Sequence, residues 1–223
     1  MHEDPIQSVN VAKPISEILD PTPIQDNALS TPILEDRIHH VKELLADPVL
    51  SATLTTFINV GFRDSKSYDP SRWDVTGDRF SESSEFHEML GPSGVIAVVY
   101  AGSAPVACAG AVAWSGDQAG FRRPRETGWE IKAVTVKVGE AKKGLASRAV
   151  KVMQEYLVKR EREKMGPGEM GKLSLWIQTA ECVNGEYWRR RGFRDDRVHE
   201  KPVGYWASRT GFRMLVLVKE VDV

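Results

Sequence analysis

The sequence predicts an α+β (mixed α/β) chain: a central mixed, mostly antiparallel sheet flanked by helices on both faces. Three observations carry that prediction. The stretch Leu90 to Trp114 has no charged residue, yet Gly102-Ser103-Ala104-Pro105 breaks it into two strands and a turn. A β-branched run from Gly128 to Val138 leads, after a short loop, into a helical period from Gly144 to about Lys164. Two further strand-like runs close the chain after a short helical segment, so strands and helices alternate around one sheet.

Taken in order, residues 1 to 30 hold Pro5, Pro14, Pro21 and Pro23 among polar residues and read as a tail or arm, with Ile6 to Val11 its best candidate for an edge strand. The domain is expected over 31–223. Thr31-Pro32 has the form of an N-cap followed by proline at the first helical position, and Ile38, Val41 and Leu45 recur at helical steps, so a first helix is expected there. Asp47-Pro48 repeats the signal, with Leu50, Leu54, Phe57 and Ile58 as the apolar face of a second helix. Residues 63–82 read as a loop, and Phe86 to Leu90 as one helical turn. Gly94 to Tyr100 and Pro105 to Trp114 form the apolar hairpin, followed by a polar loop, Ser115 to Thr127. In the long helix Leu145, Ala149, Val152 and Tyr156 share a face, and Gly166-Pro167-Gly168 ends it. Lys172 to Thr179 is a strand, Asn184 to Arg191 a short helix stopped by Gly192. Phe193 to His199 and Phe212 to Val221 are the last strands.

Composition narrows the function. Of 223 residues, 41% are hydrophobic and 27% charged, enough for a core and a solvated surface. A formal net charge of -1 provides no basic field for a polyanion, which argues against a nucleic-acid partner. Two cysteines, Cys108 and Cys182, are too few for a disulfide framework. With no secretory signal pattern at the N-terminus and the apolar stretch read as a hairpin, the expectation is a cytoplasmic protein without a membrane span. His39-His40 lacks further ligands nearby, so no metal site is expected.

The chemistry is carried by the segment from Ala133 to Ser147. A strand ends at Gly139, and a short loop enters a helix at Gly144, where side chains become small. The first amides of a helix have no partner within it and face outward at the positive end of the dipole. Small residues let an anion approach that backbone, and a phosphate or pyrophosphate is the natural occupant. Lys142 and Lys143 add positive charge, and Ser147 offers a hydroxyl. The glycine spacing of a Walker loop or a dinucleotide fingerprint is absent.

With these residues the chain resembles the GNAT (Gcn5-related N-acetyltransferase) superfamily. Its acyl-CoA loop, Arg/Gln-x-x-Gly-x-Gly/Ala, is matched at Gly144 and Ala146. The preceding strand pattern is matched at Glu130, Ile131 and Val136, and the later Gly-Phe pair at Gly192-Phe193. The likeness covers roughly Leu34 to Val221 in element order. Two positions depart from the pattern: Ala141 stands where arginine or glutamine is usual, and Trp188 where the family has tyrosine.

The resemblance implies an acetyl-CoA-dependent N-acetyltransferase acting on a small-molecule amine. The pantetheine arm would pair with backbone groups of Val134, Thr135 and Val136, and the pyrophosphate would sit over Lys142, Lys143, Gly144, Leu145, Ala146 and Ser147. Asn184 corresponds to the family's asparagine. Glu130 is the candidate general base, with Tyr187 and Tyr205 as candidates to protonate the leaving thiolate. Arg189, Arg190 and Arg191 read as a solvated helix end, and Cys108 as packing. Loops 63–82, 115–127 and 200–210 are expected to wall the acceptor site, with Trp73, Phe121, Tyr205 and Trp206 favouring an apolar or aromatic acceptor. A homodimer is compatible with this reading. The two departures keep alternatives open: another acyl group, acylation of oxygen, or a non-catalytic module that binds CoA or a partner.

Overall fold

A strand, β1 (Leu34–His40), stands where the sequence predicts the first helix. It runs antiparallel to β2 (Val95–Ala101), with Leu34 opposite Ala101 and His40 opposite Val95. The spacing of Ile38, Val41 and Leu45 fits a helix, but only α1 (Val41–Ala46) adopts one. The edge of a fully apolar hairpin needs partners for its backbone groups, and that ladder overrides a weak local period. The computed structural model describes residues 33–223 apart from 118 and 119, and the strand expected at Ile6–Val11 lies outside the described residues.

Helix α2 (Pro48–Ser67) begins as its sequence signal requires: the Asp47 carboxylate accepts from the Val49 and Leu50 amides at 3.1 and 3.0 Å. It runs on through 63–67, which the sequence reads as loop, because no glycine or proline follows Gly61 before Pro70. Helix α3 (Ser83–Leu90) follows. Strand β2 turns into β3 (Ala104–Ala113), and the hairpin is buried on both sides. Val95, Ala97 and Val99 pack towards α4 (Leu145–Arg162), while Ile96, Val98 and Tyr100 join the cluster with Leu54, Ile58 and Phe86 from α2 and α3. Burial on both faces explains why this hairpin reads as a continuous apolar run rather than an alternating one. On α4 the buried stripe is Leu145, Ala149, Val150, Met153 and Leu157, with Val152 and Tyr156 at its margin.

Strands β4 (Trp129–Val136) and β5 (Lys172–Ala180) flank α4 in sequence. A π-helical turn, Glu181–Gly185, and the one-turn helix α5 (Glu186–Arg189) replace the expected short helix. Strands β6 (Arg194–Lys201) and β7 (Phe212–Asp222) complete a seven-stranded sheet of order β1-β2-β3-β4-β5-β7-β6. Every neighbouring pair is antiparallel except β4 and β5.

The 115–127 loop is clasped away from the centre of the sheet. Arg197 on β6 donates to both oxygens of Glu126, at 2.7 and 2.9 Å, and lies 2.9 Å from Asp117. Its guanidinium also sits over the stacked pair Trp114 and Trp176.

Candidate active site

The site is built where the sheet parts. β4 and β5 pair only at Trp129 with Leu175 and Glu130 with Trp176, and beyond Glu130 they diverge. Gly128 permits the close start, since a Cβ there would stand 2.0 Å from the Ser174 carbonyl oxygen. On its other side β4 carries a bulge: Lys132 pairs with Gly110 and Thr135 with Cys108, so Ala133 and Val134 face one residue, and Ala133 is left-handed at φ 50°. Helix α2 lies against the far end of β4 through Gly61, whose Cβ would meet Thr135 Oγ1 at 1.9 Å. Two cavities open in the parted strands. They share Ser65, Trp73, Val134, Val183, Asn184 and Trp188.

The first, about 750 Å³, runs from Val134, Thr135 and Val136 to the start of α4. Its loop turns through Gly139, Lys142 and Gly144, all left-handed, with φ between 66° and 81°. The first helical bond runs from the Arg148 amide to the Gly144 carbonyl at 3.0 Å, which leaves the amides of Leu145, Ala146 and Ser147 without a partner in the helix. Lys142 lines the cavity, whereas Lys143 is drawn aside by Glu140 at 3.0 Å. Arg191 donates to Ser147 Oγ at 2.6 Å and to the Tyr187 carbonyl at 3.0 Å, and its guanidinium stacks 3.4 Å from the Tyr187 ring centre. The Tyr187 hydroxyl is buried and has no hydrogen-bond partner among the described residues. A buried hydroxyl without a partner is uncommon in folded proteins.

The second cavity, about 370 Å³, is bounded by β4, β5, α2 and two loops. Those loops are zipped together by backbone bonds: the Asp74 amide donates to the Ala207 carbonyl at 2.8 Å and the Arg209 amide to that of Arg72 at 2.7 Å. Trp206 and Ala207 face the cavity with left-handed backbones, φ 53° and 61°, rare for side-chain-bearing residues and held here by that zipper. Glu130 is buried at the base, 4% exposed, and accepts from Gln178 Nε2 at 2.9 Å, with Lys132 Nζ 3.1 Å away. Burial raises the Glu130 carboxyl above the usual glutamate range, more than Lys132, Gln178 and Arg79 lower it.

This architecture has counterparts among solved structures. An acetyltransferase of the GNAT family from Streptococcus pneumoniae superposes with a TM-score of 0.54 at 15% identity, covering 85% of this chain and 99% of that one. The chain has the GNAT fold. An N-acetyltransferase from Staphylococcus aureus Mu50 matches with a TM-score of 0.50 at 14% identity over 84% of this chain and 97% of its own. An aminoglycoside 6'-acetyltransferase type Ii does so at 0.50 and 16% identity over 84% and 96%. At these identities the likeness is one of fold. No protein-family model and no curated protein sequence matches the chain.

Within the GNAT fold the expected residues fall into three groups. Val134, Thr135, Val136, Lys142, Gly144, Leu145, Ala146, Ser147, Asn184 and Tyr187 line the first cavity, together with Ala141. Glu130 lines the second. Tyr205 lines neither: it packs beside Trp206 and Phe212 with Lys201 over its ring, and burial raises its phenol. Phe121 and the other described residues of the 115–127 loop are also absent from both walls, and Arg197 sits over the Phe121 ring. Trp73 and Trp206 do line the second cavity. Cys108 is buried, its thiol pushed up to about 12. Arg191, Gln178, Lys132 and Arg79 were not singled out from sequence as site residues. Only the run Arg189-Arg190-Arg191 marked one of them, and of the three Arg189 is taken by Glu181 and Asp195.

Proposed function

We propose that the protein is an acyl-CoA-dependent acyltransferase, with acetyl-CoA as donor and a small-molecule amine as acceptor. The observation that carries this reading is the meeting of the two cavities over Val134: one leads to a helix start with open amides, the other to a buried carboxylate. The fit to the donor rests on the first cavity, whose open amides at Leu145 to Ser147 and Lys142 suit a pyrophosphate, and whose edge of β4 suits an extended amide-bearing arm. When bound, acyl-CoA supplies an activated acyl group as a thioester, and the amide C–N bond forms as the C–S bond breaks.

The residues divide the remaining work. An amine reaches the protein as an ammonium ion and must lose a proton before it has a lone pair to offer. Glu130 takes that proton, and its raised pKa makes it a better base than an exposed glutamate. Gln178 and Lys132 fix the carboxylate's position. The Tyr187 hydroxyl, buried and unpartnered, donates a proton or hydrogen bond to the departing sulfur. This role replaces the tyrosine lost to Trp188, which packs into the core beside Phe193. Arg191 holds Ser147 and the Tyr187 ring together, coupling the donor cradle to the acid.

Thiol release from acetyl-CoA, measured across an amine panel, tests the reading directly. The expected result is turnover that Glu130→Gln lowers at neutral pH, with acetyl-CoA raising the thermal midpoint of both proteins. A panel without turnover and a midpoint that acetyl-CoA does not move would overturn it.

A further inference from the structure

The acceptor cavity has an excess of cations. Four basic side chains line it, Arg63, Lys66, Arg79 and Lys132, against two carboxylates, Glu130 and Asp78. Arg63 is ion-paired with Asp78, and Lys132 with Glu130. Lys66 and Arg79 have no carboxylate within ion-pair distance among the described residues. The Arg79 guanidinium is held over the Phe62 ring at 4.2 Å and the Phe80 ring at 5.4 Å, so its orientation is fixed by packing rather than by a counter-ion.

We infer that the acceptor is a small amino carboxylate with an apolar or aromatic side chain, its carboxylate held by Arg79 and Lys66 and its amine directed to Glu130. The inference rests on the acyltransferase reading and narrows its substrate. Arginine's planar fork matches a carboxylate with two parallel bonds, and a lysine beside it adds a further donor. Two like charges crowded in one cavity repel each other, and an anion between them relieves that repulsion. Only the Lys66 ammonium registers this crowding: burial lowers it and the charge of Arg79 nearby lowers it further, whereas loss of solvent alone pushes the Arg79 guanidinium down to about 10, against the opposing pull of Glu130. Arg79 stays charged at neutral pH. Trp73, Ile177 and Trp206 supply apolar wall for a side chain, and about 370 Å³ lies at the small end of ligand-site volumes.

Phenylalanine, phenylalaninamide and phenethylamine separate the contributions, since they share a ring and an amine and differ in the carboxylate. Binding to the protein with CoA present is measured by calorimetry, and turnover by thiol release. Phenylalanine is expected to bind roughly 10- to 100-fold more tightly than either partner lacking the carboxylate, the range of hydrogen bonds to charged groups. Arg79→Gln and Lys66→Gln should each erase most of that difference, and Arg79→Lys should keep part of it. Phenylalanine binding no more tightly than phenethylamine would overturn the inference, as would a preference that survives loss of both cations. If the binding preference appears but no amine is acylated, the acyltransferase reading fails and the carboxylate site stands. If phenethylamine is acylated as well as phenylalanine, the reverse holds.

Discussion

The two cavities that meet over Val134 are built by different means. The donor cavity is largely backbone: a strand edge, a left-handed loop at Gly139 to Gly144 and three open amides at the start of α4. The acceptor cavity is largely side chain, contributed by α2, β4, β5 and two zipped loops. A surface of backbone amides depends little on which side chains surround it. A surface of side chains can be respecified by a few substitutions. On the acyltransferase reading proposed above, the contrast puts cofactor recognition on the part of the fold that is hardest to change, and substrate choice on the part that is easiest.

The sharpest way to break this comparison is at the base. Glu130→Gln should lower turnover by roughly 10²- to 10⁴-fold at neutral pH, the usual share of a positioned general base, while leaving acetyl-CoA affinity nearly unchanged. In the unsubstituted protein the acidic limb of the kcat/KM profile should lie above about 4.3, the ordinary glutamate value, because burial raises this carboxyl. Full turnover of the variant across the profile would remove Glu130 from the mechanism.

Next in size is a change to the scaffold between the cavities. Gly61→Ala pushes a methyl into Thr135 Oγ1 and should destabilise the fold by about 1–3 kcal/mol, read by denaturant unfolding. An unchanged midpoint would mean that α2 shifts off β4 freely, and that neither cavity depends on their contact.

A smaller effect is expected at the donor end. Arg191→Ala frees Ser147 and the Tyr187 ring, and should weaken acetyl-CoA binding by about 10-fold, the value of one charged hydrogen bond. Tyr187→Phe should instead leave affinity alone and lower turnover. If both variants change only affinity, Tyr187 is a wall of the cavity rather than an acid.

The smallest effect concerns stability and pH. Glu130 keeps its proton to higher pH in the folded chain than in the unfolded one, so its contribution is complete below the ordinary glutamate range and declines as pH rises through the raised folded value. At neutral pH Glu130→Gln should therefore raise the thermal midpoint by roughly 1–3 °C, and below about pH 4 the two proteins should converge. A lower midpoint at neutral pH would mean that the Lys132 and Gln178 contacts outweigh desolvation.

Much of the fold was legible because its signals are local. Asp47-Pro48 started α2, the charge-free run of Leu90 to Trp114 became the β2–β3 hairpin, and the small residues after Lys142 opened α4. The residues of β1 read as a helix in sequence because the force that makes them a strand, pairing with β2, lies some sixty residues away. Residues 63–67 read as loop in sequence because the polar composition of a solvated helix face resembles one. In the candidate site, the strand–loop–helix run marked the residues that line the helix start, while Glu130 came from the resemblance to the GNAT superfamily. Tyr205 and Phe121 carried the right chemistry, but the tertiary fold packs them elsewhere.

The sequence by itself determined the sheet class, the long helix and the small-residue start with open amides at its N-terminal end, since periodicity, capping and small side chains act within a few residues of one another. Only the tertiary structure decided that Arg191 holds Ser147, and that Lys66 and Arg79 converge on the cavity of Glu130. Those meetings join residues some forty to sixty positions apart, and no local period records them. The parting of β4 and β5 decided them, because it is the opening between those strands that lets distant side chains face one space.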